Sequence, residues 1–166
     1  MEYELAYRYA AASRLDEGAG LALATSGGST PEGEAAHPYF FSGFMERPDV
    51  VAAGLLAVAR VARTRFYVPP GMVVAPGGGL TRIGMLDPVV TSTAEGLRFE
   101  SFSVCCGVYA RLDVEASALD AAHCAVGVTN VDVNQPLRAA LASLRVGEPL
   151  HLDVGSEGLT ATTLDG

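Results

Sequence analysis

The segment from residue 102 to residue 114 alternates in polarity throughout. Its even positions are Phe102, Val104, Cys106, Val108, Ala110, Leu112 and Val114, and its odd positions are mostly polar or small. Because side chains of a β-strand point alternately to the two faces of a sheet, the pattern predicts one strand whose even residues face a core. Leu97 and Phe99 have the opposite parity. The switch predicts a bulge near Glu100 or Ser101, or burial on both sides.

Helix signals occur at two places in the chain. Pro48 and Asp49 suit the first turn of a helix, and apolar residues then recur at helical spacing: Val51, Leu55, Val58 and Ala62. Asn134 can cap a second helix, which has Pro136 in its first turn. The second helix carries Leu137, Leu141 and Leu144.

Further strands are predicted between and beyond the helices. They cover residues 3–9, 21–25, 88–92, 126–133, 150–154 and 159–164, with a hairpin turn at 94–96 and loops at 26–38 and 76–79. The chain is therefore predicted to be α+β, a mostly antiparallel sheet of about six or seven strands with two main helices packed on one face.

Length and charge narrow the class of protein. The chain has 166 residues, 49% hydrophobic and 18% charged, which suits one folded domain over residues 1–166 and excludes a disordered tail. It has 11 basic residues, all Arg, against 19 acidic ones, a net charge of −8. Because such a chain repels a polyanion, direct nucleic-acid binding is not expected from it.

The cysteine count, the N-terminus and the apolar stretches of the sequence predict the cellular compartment. Three cysteines are too few and odd in number for a disulfide framework. The N-terminus has no secretory signal, and the longest apolar stretch, residues 50–59, is shorter than the ~20 residues of a membrane span. We therefore expect a cytoplasmic protein without a membrane span. The chain stops at Asp165-Gly166, a turn signal, which predicts the N-terminal segment of a longer protein.

The adjacent thiols Cys105 and Cys106 are the first candidates for chemistry. Adjacent Cα atoms lie ~3.8 Å apart, which is short for a relaxed disulfide. On a strand the two thiols point to opposite faces, so Cys106 is expected in the core and Cys105 on the more polar face. A redox or nucleophilic role for Cys105 stays open as an alternative, without an identifiable histidine partner.

Metal binding is considered for two sets of residues. Cys105, Cys106, His123 and Cys124 form a set that can in principle ligate zinc. Structural zinc sites space paired ligands by two to four residues, so we expect no metal in this chain. Asn130, Asp132 and Asn134 resemble a calcium loop but lack its glycine and distal glutamate, which favours a polar strand edge followed by a helix cap.

Histidine chemistry is also assessed from the sequence. His37, His123 and His151 are scattered, and each is interpreted as lacking a paired carboxylate at recognisable spacing. No serine-hydrolase or zinc-protease motif is present. No catalytic residue is therefore predicted, and the chain is not expected to be an enzyme.

Residues 98–114 resemble the N-terminal region of actinobacterial SWIM-type zinc-finger proteins, and residues 37–44, 129–134 and 151–155 fit the same resemblance. The resemblance implies a longer protein whose finger binds zinc, and DNA or protein, through Cys-x-Cys and a later Cys-x-His. Neither element occurs in this chain. Zinc is therefore implied only for a finger outside it.

The leading hypothesis is a non-catalytic accessory or interaction module of such a protein. Its partner would be another protein or the remainder of its own chain, and it predicts an exposed aromatic patch at Tyr39, Phe40, Phe41 and Phe44. Burial of these aromatics in the core is the competing interpretation. The alternative function is a small-molecule-binding domain or a thiol enzyme using Cys105 or His123.

Overall fold

The computed structural model describes residues 14–15, 20–35, 39–67 and 87–155. Within them lie ten strands and two helices: β1 Arg14–Leu15, β2 Gly20–Thr30, β3 Gly33–Ala35, β4 Phe41–Met45, α1 Pro48–Ala62, β5 Val89–Thr93, β6 Gly96–Phe102, β7 Tyr109–Glu115, β8 Leu119–Cys124, β9 Gly127–Val131, α2 Gln135–Ser143 and β10 His151–Gly155. The strands predicted at residues 3–9 and 159–164, the loop at 76–79 and His37 lie outside the described residues.

The strands follow the order β7-β6-β5-β9-β2-β10-β4-β8, with β1 and β3 paired to β2. Every described pair is antiparallel except β2 with β10. The predicted α+β class with a mostly antiparallel sheet is therefore confirmed. More strands form than the sequence predicts. Residues 26–35 of the supposed loop continue β2 and turn back as β3, and β1, β4 and β8 were not predicted.

The prediction of one long strand from 102 to 114 is wrong. β6 ends at Phe102, the chain turns through residues 103–108, and β7 returns beside β6. The Ser103 N–H donates to the Val108 carbonyl at 2.8 Å and closes the turn. The parity switch therefore comes from a hairpin and not from a bulge. Phe102 and Cys106, which were predicted to face the core, are exposed.

Both helices form where local signals place them. In α1 the four apolar residues at helical spacing are buried, and the helix packs on β6 and β7. In α2 the Asn134 side chain accepts a hydrogen bond from the Leu137 N–H at 2.9 Å, and Leu137 and Leu141 are buried. Full burial of such a leucine stabilises the fold by about 2 kcal/mol. α1 and α2 contact each other, so their apolar faces share one core.

Strands β4 and β10 have one buried and one outward face. Phe41, Met45, Leu152 and Val154 are buried in the core. The alternate residues of the two strands, Ser42, Phe44, His151 and Asp153, therefore point to the opposite side of the sheet.

Candidate functional site

The outward side of β4 and β10 carries a serine, a histidine and an aspartate that contact one another. We call it the β4 face and define it as Ser42, Phe44, His151 and Asp153, flanked by Tyr39 and His123. In the register of β4 and β10, Asp153 lies opposite Ser42 and His151 lies opposite Phe44. Cross-strand and diagonal neighbours on one face are within side-chain reach, so the pairing brings the four side chains together.

Ser42, His151 and Asp153 are joined by two hydrogen bonds. The Ser42 Oγ lies 3.3 Å from the His151 Nε2, and the His151 Nδ1 lies 3.1 Å from the Asp153 Oδ2. The His151 side chain is 26% exposed and that of Asp153 is 14% exposed. A carboxylate can only accept a hydrogen bond, so Asp153 favours the tautomer with the proton on Nδ1. The Nε2 lone pair then accepts a hydrogen bond from the Ser42 hydroxyl.

The interpretation of His151 as lacking a paired carboxylate is wrong. Asp153 follows it by two residues on the same strand, and a spacing of two puts both side chains on one face. This signal was present in the sequence. The serine was not detectable, because it comes from β4, 109 positions away along the chain.

The aromatic patch predicted at Tyr39, Phe40, Phe41 and Phe44 divides into two pairs. Tyr39 and Phe44 are exposed, whereas Phe40 and Phe41 are buried and belong to the core. Phe41 faces inward on β4, and the ring of Phe40 packs against Gly127, where an added Cβ would overlap it. The patch as predicted is therefore wrong for Phe40 and Phe41.

The two exposed rings contact histidines of the β4 face. Phe44 packs edge-on against His151, with ring centroids 4.7 Å apart. Tyr39 stacks on His123 with centroids 4.6 Å apart, and the His123 Nε2 lies 3.3 Å from the Tyr39 carbonyl oxygen. His123 is thus held by Tyr39, while His151 is held by Phe44 and Asp153.

Cys105 lies in the turn between β6 and β7 and is partly exposed. Its Sγ lies 3.4 Å from the Ser103 Oγ. The hydrogen bond with Ser103, and next the one from the Gly107 backbone N–H, lowers the pKa of the Cys105 thiol to about 6. Backbone groups of Phe66 and Tyr67 lower that pKa further, while burial opposes them. A thiol with this pKa is mostly thiolate at neutral pH.

The prediction that Cys106 lies in the core and Cys105 on the more polar face is wrong. Cys105 is the more sheltered sulfur, and Cys106 is exposed instead of lying in the core. Cys106 adopts φ 57°, a left-handed conformation that belongs to the turn and not to a strand. The two thiols do not point to opposite faces of a strand, because residues 103–108 form a turn between β6 and β7.

The set considered for zinc is split between two ends of β6. The Cys124 Sγ lies 3.6 Å from the Thr93 carbonyl oxygen, and Thr93 is paired with Gly96 at the start of β6. Cys105 follows the other end, and a seven-residue strand such as β6 spans about 20 Å. Among the described residues no group of three or more His, Cys, Asp or Glu is arranged to hold a metal ion. Cys105 and His123 likewise have separate neighbours and do not form a pair.

The polar residues Asn130, Asp132 and Asn134 lead from β9 into α2. The Asn134 Nδ2 donates to the Asp132 Oδ2 at 2.9 Å, while its Oδ1 caps the helix. Asn130 is part of β9 and is half-buried. The predicted helix cap forms at Asn134, but the interpretation as an edge strand is wrong, because β9 is paired with β5 on one side and β2 on the other.

A second exposed group surrounds the turn that carries Cys105. We call it the aromatic end and define it as Phe66, Tyr67, Phe102 and Tyr109, each between 46% and 59% exposed. Phe102 and Tyr109 are cross-strand partners with ring centroids 5.1 Å apart, and the Tyr109 hydroxyl donates to Glu100. The Val104 N–H donates to the Thr64 carbonyl at 2.9 Å, which fixes the hairpin to the segment after α1.

The four rings of the aromatic end were not predicted to form a group. Phe102 was assigned to a core face, and Phe66 and Tyr67 follow the helix without a periodic pattern. A signal was present after α1, where Arg63 and Arg65 alternate with other residues and are followed by Phe66 and Tyr67.

No protein-family model, no curated protein and no solved structure matches the chain. The fold is α+β with a mostly antiparallel sheet. The resemblance to SWIM-type proteins stays a prediction. Neither of the two described helices is long and apolar enough to cross a membrane.

Proposed function

We propose that the chain is an interaction module within a longer protein of the SWIM-type zinc-finger family, and that it binds a protein partner through the aromatic end. The single observation behind the proposal is that four aromatic side chains, all exposed, surround one turn. Aromatic residues are enriched in protein interfaces and supply much of their binding energy.

The energy available at the aromatic end is sufficient for a specific contact. Covering about 100 Å² on each ring contributes about 2 kcal/mol per ring before the costs of association. The rings of Phe102 and Tyr109 already contact each other, and the turn is tied to Thr64. A surface that is ordered before binding loses less entropy when the partner docks.

Charge favours a partner segment that is acidic as well as apolar. Arg60 lies in the last turn of α1, and Arg63 and Arg65 follow it in the chain before Phe66. Arg63 pairs with Asp87 at 2.8 Å, so its charge is partly compensated, and Arg60 is exposed. The chain as a whole has a net charge of −8, which disfavours a long polyanion such as a nucleic acid.

Position-specific photo-crosslinking tests the interaction role. A benzophenone amino acid is placed at Phe102 or at Tyr67 of the full-length protein in its own cells, with Val146, which is 86% exposed, as the control position. We expect one discrete protein adduct from both test positions, none from the control, and loss of the adduct when Arg60→Glu and Arg65→Glu are added. Val146 lies after α2, apart from the aromatic end.

Each other outcome counts against the proposal. Equal crosslinking at Val146 indicates unspecific contact, and an adduct of twice the chain's mass identifies a second copy instead of a partner. An adduct with nucleic acid would show that the aromatic end binds nucleic acid and not a protein. The family assignment is tested separately by the sequence beyond Gly166, where a downstream Cys-x-Cys and Cys-x-His support it and their absence contradicts it.

Thiol chemistry at Cys105 is the second candidate, favoured only by the lowered pKa of its thiol. A thiol enzyme also needs an acid or base beside the sulfur. Among the described residues the groups that bond the Cys105 Sγ are Ser103 and backbone amides, while His123 contacts Tyr39. The interaction role is therefore the function that we propose.

A further inference from the structure

The β4 face contains an arrangement that the interaction role does not use. Ser42 is hydrogen-bonded to His151, and His151 is hydrogen-bonded to Asp153. The order hydroxyl, imidazole and carboxylate is the one by which unrelated hydrolases activate a serine. This inference stands independently of the aromatic end, because it rests on different residues.

The surroundings of Asp153 and His151 hold both side chains in position. Asp153 is 14% exposed and faces the His151 Nδ1 at 3.1 Å, so it holds the proton on that nitrogen. The Phe44 ring packs at 73° to the His151 ring and limits its rotation. The other face of the same strands is buried, which fixes the backbone that carries the three side chains.

We propose that Ser42 is an activated nucleophile that accepts acyl groups from esters with an apolar acyl group, with His151 as its general base and Asp153 as a positioning residue. The Ser42 Oγ forms a bond to the ester carbonyl carbon while its proton passes to the His151 Nε2. The bond to the leaving alkoxide then breaks, and the alkoxide departs as an alcohol with that proton. Water then attacks the acyl carbonyl carbon while one of its protons passes to the His151 Nε2. The bond between that carbon and the Ser42 Oγ breaks, the Oγ takes the proton from His151, and the acyl group leaves as a carboxylic acid.

The surroundings of Ser42 define the substrate class and the rate. The exposed Phe44 ring offers an apolar surface beside the nucleophile, which suits an aromatic or aliphatic acyl group. β4 is paired with β10 on one side and β8 on the other, so its backbone N–H groups serve the sheet. Backbone donors to an oxyanion accelerate acyl transfer by about 10²–10³. Because the N–H groups of β4 already bond the neighbouring strands, we expect slow turnover of the ester. Covalent labelling of Ser42 is therefore a more sensitive measurement than turnover.

Labelling with a fluorophosphonate tests the nucleophile directly. The whole chain is incubated with the reagent, and the modified residue is identified by intact mass and peptide mapping. We expect one adduct at Ser42, and none after Ser42→Ala. His151→Gln should slow labelling about 100-fold, the usual contribution of a general base. Glu115→Gln is the control, because Glu115 is exposed on β7, at the other end of the strand order from β4 and β8, and it should leave the rate unchanged.

Asp153 needs a readout that a structural role alone would not change. The ¹⁵N chemical shifts of the His151 imidazole should show the proton on Nδ1 in the wild type and a mixture of tautomers in Asp153→Asn, with labelling slowed tenfold or more. Thermal unfolding of each variant shows whether it is folded. The proposal is overturned if the folded wild type gives no Ser42 adduct, or if His151→Gln and Glu115→Gln label equally fast.

Discussion

The acidity of Cys105 gives the sharpest quantitative prediction. With a thiol pKa of about 6, ~90% of Cys105 is thiolate at pH 7, against about 1–3% for an ordinary cysteine. The hydroxyl of Ser103 is the largest cause of the shift. Replacing it in Ser103→Ala should therefore move the midpoint of thiol titration upward, towards the ordinary range.

The assay is the pH dependence of alkylation by iodoacetamide. Cys106→Ser and Cys124→Ser leave Cys105 as the only thiol, and the rate constant is followed from pH 4 to pH 10. We expect a midpoint of about 6 for this parent chain. The difference in rate at pH 7 should be smaller than that in thiolate fraction, because nucleophilicity falls with pKa at a Brønsted slope of about 0.4–0.5.

Ser101→Ala is the matched control for the loss of a buried hydroxyl. Ser101 donates to the Val58 carbonyl at 2.7 Å, away from the sulfur, so its variant should keep the midpoint of the parent. A parent midpoint between pH 8 and 9 would refute the reasoning, and so would an equal shift in both variants. Because the pKa is lowered by folding, this thiol stabilises the native state fully only above its unfolded pKa, and that contribution is lost as pH falls through about 6.

Three further predictions concern stability and are measured by urea unfolding. Asn134→Ala removes the cap of α2 and should lower the free energy of unfolding by about 1 kcal/mol, whereas Asn134→Asp should restore most of it. Gly127→Ala places a Cβ against the Phe40 ring and should cost about 1–3 kcal/mol, a loss that Phe40→Leu should partly relieve; an additive loss contradicts the contact. Leu55→Ala should cost about 2–5 kcal/mol because the side chain is buried, and the exposed Val50→Ala should cost much less; equal losses would place Leu55 at the surface.

Local signals explain which elements were predictable. The start of α1 at Pro48 and the cap of α2 at Asn134 are determined by neighbouring residues, and both helices form there. The turn after β6 was not predictable, because it depends on the Ser103 hydroxyl accepting from the Val108 N–H at 3.0 Å. Without that bond, the alternating residues on either side are indistinguishable from one continuous strand.

The candidate site was only partly predictable for a similar reason. The spacing of His151 and Asp153 on a strand already places both on one face. Ser42 joins them through pairing of β4 with β10, and sequence spacing carries no information about such a distant pairing. The same limit applies to Tyr39 and Phe40: the first is exposed and the second is buried, and the local sequence does not distinguish the two rings.

The most direct test of the β4 face is the register between β4 and β10. In a chain whose three native cysteines are serine, Ser42→Cys is combined with Asp153→Cys or, as the shifted control, with His151→Cys. Directly opposite Cβ atoms lie about 4.5–5.5 Å apart and diagonal ones about 7–8 Å, so mild oxidation should link only the first pair. A disulfide in the shifted pair, and none between positions 42 and 153, would contradict the arrangement of Ser42, His151 and Asp153.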